Sequence, residues 1–347
     1  MLRGVPRCRP YHQAPIPESP LPRSLLLACV CLFAAALGLW LAEPAYAGSA
    51  RSEAGHLVRW DDGLDDVGQQ TVRQLPVVNR QVEASLGFPF QGGPAEVIVV
   101  NGLERMREEA RAAVPEWAGG VCIGSRSRIV LRADLTRQGP MRSMVTTLRH
   151  EWVHLAWSRR AGTHVRRLPL WMEEGLAEEI GGGVSVDGGL RLDFAARFGQ
   201  LIPFDEIETS WPSGAERASL AYRQGRSFVQ YLRDESGWDR IQRVLADLAD
   251  GKGESDSPAA GTPFEELVYE HTDVTLSHWH ATWQVHVKET AAPWFHLLLR
   301  DLTGTLLFLA SLIGLIAYFF LRRRRKRQIA ALPDHPPLPG QDLDEEL

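Results

Sequence analysis

Residues 148–157 read LRHEWVHLAW and place His150 and His154 four positions apart, with Glu151 directly after the first. Four residues is just over one α-helical turn, so the two imidazoles stand one above the other on a helix and can offer two nitrogens to one ion. Glu151 sits one step round, where its carboxylate leans toward a water on that ion. This is the H-E-x-x-H arrangement of zinc hydrolases, in which the glutamate serves as general base. In a chain of 347 residues with 11 histidines, a chance match is on the order of a few per cent, so the motif requires a third ligand. Two histidines and one carboxylate leave a fourth position open to water, which is what separates catalytic from structural zinc.

The third ligand is narrowed by what is absent. A metzincin extension needs glycine at 157 and histidine at 160, where the chain has Trp157 and Arg160; the aspzincin pattern needs an aspartate where Arg166 stands. Downstream, WMEEGLAEE (171–179) offers Glu173, Glu174, Glu178 and Glu179 on a second helix. The line HEWVH…LPLWMEEGLAEE resembles the gluzincin metallopeptidases, most closely the peptidase MA-like domains. It is more distantly similar to the thermolysins and to the zinc aminopeptidases with their W-L-x-E-G-x-A line. The resemblance implies one Zn2+, with Glu174 as its third ligand, separated from His154 by 19 residues. It also implies that Glu178, one turn later, holds the first histidine. Through the segment AYRQG, it implies that Tyr222 donates to the oxyanion. Glu173 and Glu179 point elsewhere on the helix and are expected to be solvated.

The resemblance covers about Glu96 to Lys288 and implies an α+β, zincin-like fold: a small mixed sheet, a mostly helical C-terminal part, and here one C-terminal transmembrane helix in addition. One departure bears on activity. The aminopeptidases carry a G-x-M-E-N segment whose glutamate binds the free amino group, whereas the corresponding edge here, AGGVCIG (118–124), has no acid. That favours cleavage within a chain, and Gly119, Gly120 and Val121 on an edge strand could pair with an extended peptide. A sheet edge merely covered by a loop is the plain alternative.

Elements that must position these residues are visible as periodicities. Leu64–Leu86 repeats apolar residues at helical spacing, with Pro76 expected to kink or divide it. Ala95–Val100 is a β-branched buried strand, 103–114 a short helix ending at Pro115, and GGVCIG and SRIVLR two strands joined by little more than a turn. Met141–Ser158 is a largely buried helix carrying the opening motif, and Trp171–Ile180 a second helix left through a glycine run. SLAYRQGRSFVQYLRDESG and WDRIQRVLADLADG are amphipathic helices, SDSPAAGTP is a surface loop, and residues 264–289 form one or two more helices.

Both ends read as membrane signals. Arg3, Arg7, Arg9 and Arg23 precede an apolar run, Leu25–Leu41, and Ala45-Tyr46-Ala47 fits a cleavage site. We therefore read 1–47 as a secretory signal, an uncleaved anchor being the alternative. Leu302–Leu321 holds no charged residue and is about 30 Å long as a helix, enough to span. Six basic residues, Arg322–Arg327, abut it and hold that end in the cytoplasm. The expected organisation is a signal (1–47), an extracytoplasmic metallopeptidase domain (48–295), a span (302–321) and a basic stop followed by a disordered cytoplasmic tail (322–347).

With the signal and the segment after Leu321 set aside, the remainder carries a net charge of about −8, which argues against a nucleic-acid partner and for a peptide or protein substrate. Only Cys122 remains as a thiol there, so a hydrophobic core must supply the stability and a cysteine-rich zinc site is excluded. Cys122 itself reads as a small buried hydrophobe. His271, His278 and His280 match no ligand spacing and read as partially exposed. GGGVSVDGG lacks the features of a phosphate loop, and no G-x-S-x-G occurs. The competing functional reading is a peptidase-fold binding or scaffold protein without turnover. Glu151 argues against it, since a protein that only binds has no use for a base beside the metal.

Overall fold

This computed structural model describes residues 46–137, 143–182, 186–253 and 262–330. The expected signal, apart from its last two residues, most of the loop expected at 255–263 and the tail beyond 330 lie outside the described residues. The second unit of the chain, Gly48–Leu347, contains everything that follows.

Five strands form one mixed sheet: β1 (Gly48–Arg51), β2 (Leu57–Trp60), β3 (Glu96–Val100), β4 (Gly120–Ile123) and β5 (Arg128–Arg132), in the order β1-β2-β3-β5-β4. β2, β3 and β5 run parallel, and β1 and β4 pair antiparallel at the two edges. The run that read as a buried strand is the central one: Val97 to Val100 are all fully buried. Alternation sends Val97, Val99, Ile129 and Leu131 into the main core and Ile98 and Val130 to the opposite face. The short helix α2 (Leu103–Ala110) packs against β5 with Met106 fully buried.

Helix α1 (Asp65–Leu86) packs on β1 and β2 and against α4 (Met144–Ala161). Pro76 does not divide it: the helix runs unbroken through the proline. The cost of one missing backbone donor is outweighed by burial of Leu75, Val78, Val82 and Leu86 along a single face. α4 begins three residues later than its pattern suggested, where the Ser143 hydroxyl caps it by accepting from the Thr146 N–H. It lies under the sheet, between α1 and the helix α5 (Leu170–Gly181). A helix covered on both sides needs apolar residues all round, and Leu148, Trp152, Val153, Leu155, Ala156 and Trp157 supply them.

After a five-residue α3 (Ala133–Arg137) and the two-helix pair α4–α5 come α6 (Val186–Arg197), α7 (Ala215–Ser236), α8 (Trp238–Ala249), α9 (Pro263–Thr272) and α10 (Leu276–Ala330). The fold is thus α+β and zincin-like, with a mostly helical second half. α10 unites what sequence patterning separated into a last domain helix and a span. Within it, Leu302–Arg327 is long and apolar enough to cross a membrane, and none of that segment is buried.

Candidate metal centre

Helix α4, packed against edge strand β4, and helix α5, packed against α4, bring the motif residues together. His150 and His154 stack on α4, and Glu174 enters from α5. His150 Nε2 and His154 Nε2 are 3.2 Å apart, and Glu174 Oε2 lies 3.4 Å from the former and 3.3 Å from the latter. Tetrahedral zinc with ligand bonds of about 2.0–2.1 Å needs ligand atoms separated by about 3.3–3.4 Å, so this triangle has the size of one face of such a site. Glu174 Oε2 is buried with no hydrogen-bond partner, a costly state for a carboxylate unless a cation completes it. Among the described residues these three form the group of acids and histidines able to hold a metal.

The charge state agrees with the geometry. Burial opposes ionisation of Glu174, yet the His154 and His150 imidazoles hold its carboxyl far below the usual range. Burial likewise disfavours charge on the histidines, but Glu174 and its neighbouring carboxylates push both imidazoles up, His154 most strongly. Glu174 and its neighbours thus favour positive charge at the place where a metal would supply it.

Each imidazole turns its other nitrogen to a carboxylate of α5. His154 Nδ1 meets Glu173 Oε1 at 2.7 Å, and His150 Nδ1 faces Glu178 Oε1 at 3.6 Å. The expectation that Glu173 and Glu179 are solvated is thus corrected. Glu173 is one step back from Glu174 on α5, which places it beside the lower histidine rather than in water. Glu179 turns to α7, where it accepts from Arg226 at 3.0 Å, from Gln230 at 2.7 Å and from Arg233. The four acids of WMEEGLAEE are therefore all engaged.

Glu151 is buried at 7% exposure. That burial raises its pKa against the pull of His150 and His154, and a backbone hydrogen bond from Cys122 works the other way. It faces β4 so closely that a Cβ on Gly120 would sit 2.7 Å from Glu151 Cγ; only glycine lets the edge strand pass there. Cys122 on the same strand has its thiol pushed up to about 12 by burial, which fits a packing residue and not a nucleophile.

Tyr222 comes from α7. Its ring centroid is 6.1 Å from that of His150, 5.9 Å from Trp117 and 4.8 Å from Trp211. What fixes α7 against α5 is a pair of glycines: a Cβ on Gly175 would lie 2.6 Å from the Gly225 carbonyl, and one on Gly225 2.6 Å from the Trp171 oxygen. Together these elements enclose a cleft of about 1390 Å3, lined on one side by β4 and on the other by α6 and α7.

The sequence pattern of the Peptidase MA superfamily matches residues 89–271, more than half of the chain and all of the elements just described from β3 to α9. The chain belongs to the Peptidase MA superfamily. Similar solved structures include yeast LTA4 hydrolase in complex with bestatin, 14% identical over 64% of this chain and 36% of that chain, with a TM-score of 0.41. An M1 zinc metallopeptidase from Deinococcus radiodurans is 16% identical over 71% of this chain and 52% of that one, TM-score 0.40. The Peptidase MA chain thus spans about a third to a half of the length of these proteins. Among curated proteins no sequence matches it.

The histidines set aside at 271, 278 and 280 stay away from the centre; His278 is exposed and His271 and His280 are half-buried. His271 Nε2 pairs with Asp247 at 2.9 Å. His280 stacks on Phe204 at 4.2 Å among Trp171 and Phe228. Gly175 and Gly225 escaped sequence reasoning, as did the contact of Glu173 with His154 and the close approach of Gly120 to Glu151. The helical position of Glu173 relative to Glu174 was a usable signal, whereas the glycines act only through contacts between elements.

Proposed function

We propose that this chain is a zinc-dependent peptidase cutting within polypeptides, with its catalytic domain (48–295) outside the cytoplasm and its tail inside. The observation that carries the reading is the triangle of His150 Nε2, His154 Nε2 and Glu174 Oε2, with edges of 3.2–3.4 Å and an orphaned oxygen. Bound zinc supplies a Lewis acid and acidifies water. Glu173 and Glu178 hold the two imidazoles with Nε2 inward. Glu151, its pKa raised by burial, takes the proton of the attacking water and passes it to the leaving amine. Tyr222 faces the same space from α7 and is placed to donate to the developing oxyanion. The peptide lies extended along edge strand β4, whose backbone pairs with it. Among the described residues the cleft's acids are committed to the histidines or to proton transfer, apart from exposed Glu216 on the rim, so none of these buried carboxylates awaits a free amino terminus. That supports cleavage inside chains.

Purified full-length chain in detergent is expected to hold about one equivalent of zinc, and His150→Ala to lose it. Absence of zinc, or a His150→Ala variant with unchanged metal content, would overturn the site.

A further inference from the structure

The helix that enters the membrane is also part of the scaffold of the cleft. Leu276, Trp279, Trp283 and Val287 of α10 are buried in the core. Trp283 Nε1 donates to Ser227 Oγ at 3.2 Å, and Ser227 lines the cleft. His280 lies against Trp171, on the same helix as Glu174, with ring centroids 5.4 Å apart. From Val287 to Leu302, the first residue of the apolar segment, α10 is continuous helix. That is about 22 Å at 1.5 Å per residue, and any bend only shortens it.

α6 joins the cleft to this helix. It packs against α10, and its Arg191 and Leu192 line the cleft. Leu192, Ala195 and Ala196 are buried, while Arg191, Phe194 and Arg197 face outward, with Phe198 just past the helix end exposed beside them. Phe194 is 44% exposed and Phe198 58%, their rings parallel within 13° and 5.9 Å apart. Among the described residues outside the apolar segment, Val285 at 54%, on α10 itself, and Tyr269 at 55%, on α9, are exposed to a similar degree. Aromatic rings between arginines on one helix face suit the headgroup layer of an anionic bilayer. The bilayer that α10 enters is the surface within reach.

We propose that α6 rests on the lipid surface of the membrane that α10 enters, and that the cleft so placed acts on membrane-anchored proteins at segments next to the bilayer. This rests on the peptidase and membrane-span readings above. A flexible tether would let the cleft sample the whole space above the membrane; α10, docked into the core, does not.

The full chain in liposomes of phosphatidylcholine and phosphatidylglycerol in equal parts provides the test. Nitroxides on Phe198→Cys and Glu104→Cys, each made with Cys8→Ser, Cys29→Ser, Cys31→Ser and Cys122→Ser, report contact with lipid without any need for activity. The label at 198 is expected to be shielded from an aqueous nickel chelate and open to oxygen, and the label at 104 the reverse. Reduced, carboxymethylated lactalbumin coupled to lipid is expected to be cut at least about tenfold faster than the same protein free in solution, with cuts concentrated toward the tether. Phe194→Ser with Phe198→Ser should lose that concentration of cuts while cutting the free probe as before. Equal nickel access at both labels overturns the proposal. So do cuts distributed alike in wild type and the double variant. A zinc-loaded protein that cuts neither probe refutes the peptidase reading itself, and this inference falls with it.

Discussion

Glu173 meets His154 at hydrogen-bond distance while Glu178 stands 3.6 Å from His150, so the two imidazoles are held unequally. A carboxylate on the far nitrogen fixes the tautomer and raises ligand basicity, and its loss costs about 10- to 100-fold in metal affinity. Glu173→Ala is expected to weaken zinc binding by that amount and Glu178→Ala by less, measured by competition with a chelator. Acid acts on the same residues: both histidines hold their protons more tightly than free imidazole, and zinc must displace them. Affinity therefore falls as pH falls, and binding releases protons. In the proposed mechanism Glu151 contributes to chemistry rather than to binding. Glu151→Gln should retain zinc and lose about 10²- to 10⁴-fold in turnover, and retained turnover would remove it from the mechanism.

Between helices, the contact that matters most has no side chains in it. Gly175 and Gly225 let α5 and α7 touch backbone to backbone, and Glu179 clamps the pair through Arg226, Gln230 and Arg233. Because Glu174 precedes Gly175 on one helix and Tyr222 lies one turn before Gly225 on the other, this crossing sets the distance between the proposed ligand and the proposed donor. A methyl group at Gly175 meets a carbonyl that cannot yield. Gly175→Ala is expected to cost about 1–3 kcal/mol of stability, seen as a lower Tm, and to reduce hydrolysis by more than it reduces zinc content. A variant with wild-type Tm and activity would show that the crossing tolerates separation.

Across the molecule, the buried cluster around His280 couples pH to folding. Burial lowers its pKa from 6.5 to about 4, and its Nε2 has no partner. The unfolded chain binds a proton that the folded one refuses, so stability falls as pH drops from 6.5 toward 4. The loss from this group amounts to about 3 kcal/mol. His280→Phe should flatten the decline of Tm with acid; an unchanged slope would assign it to other groups. Topology is testable at the same scale. Translocating the six cations after the apolar segment costs far more than leaving them in place, so protease added to intact spheroplasts is expected to digest the domain and spare the span and tail. A domain protected until the membrane is broken would reverse the orientation.

The juxtaposition of His150, Glu151 and His154 was legible because it depends on spacing along one helix, and a helix converts spacing into geometry without help from the rest of the chain. The central strand and the apolar segment were legible for a similar reason, since a continuous apolar run permits few environments. Glu174 needed a family resemblance to single it out from three other glutamates on its helix, because a ligand from a second helix depends on how two helices cross. The tertiary structure alone decided the rest. Pro76 sits inside an unbroken helix because burial along one face outweighs a local defect. Glu173 and Glu179 are engaged because their neighbours come from α4 and α7. Gly120, Gly175 and Gly225 matter through the absence of a side chain at a close approach, which no pattern of side chains can announce. Periodicity fixes which face of an element is apolar; which elements then meet, and how closely, is settled by packing among residues far apart in the chain.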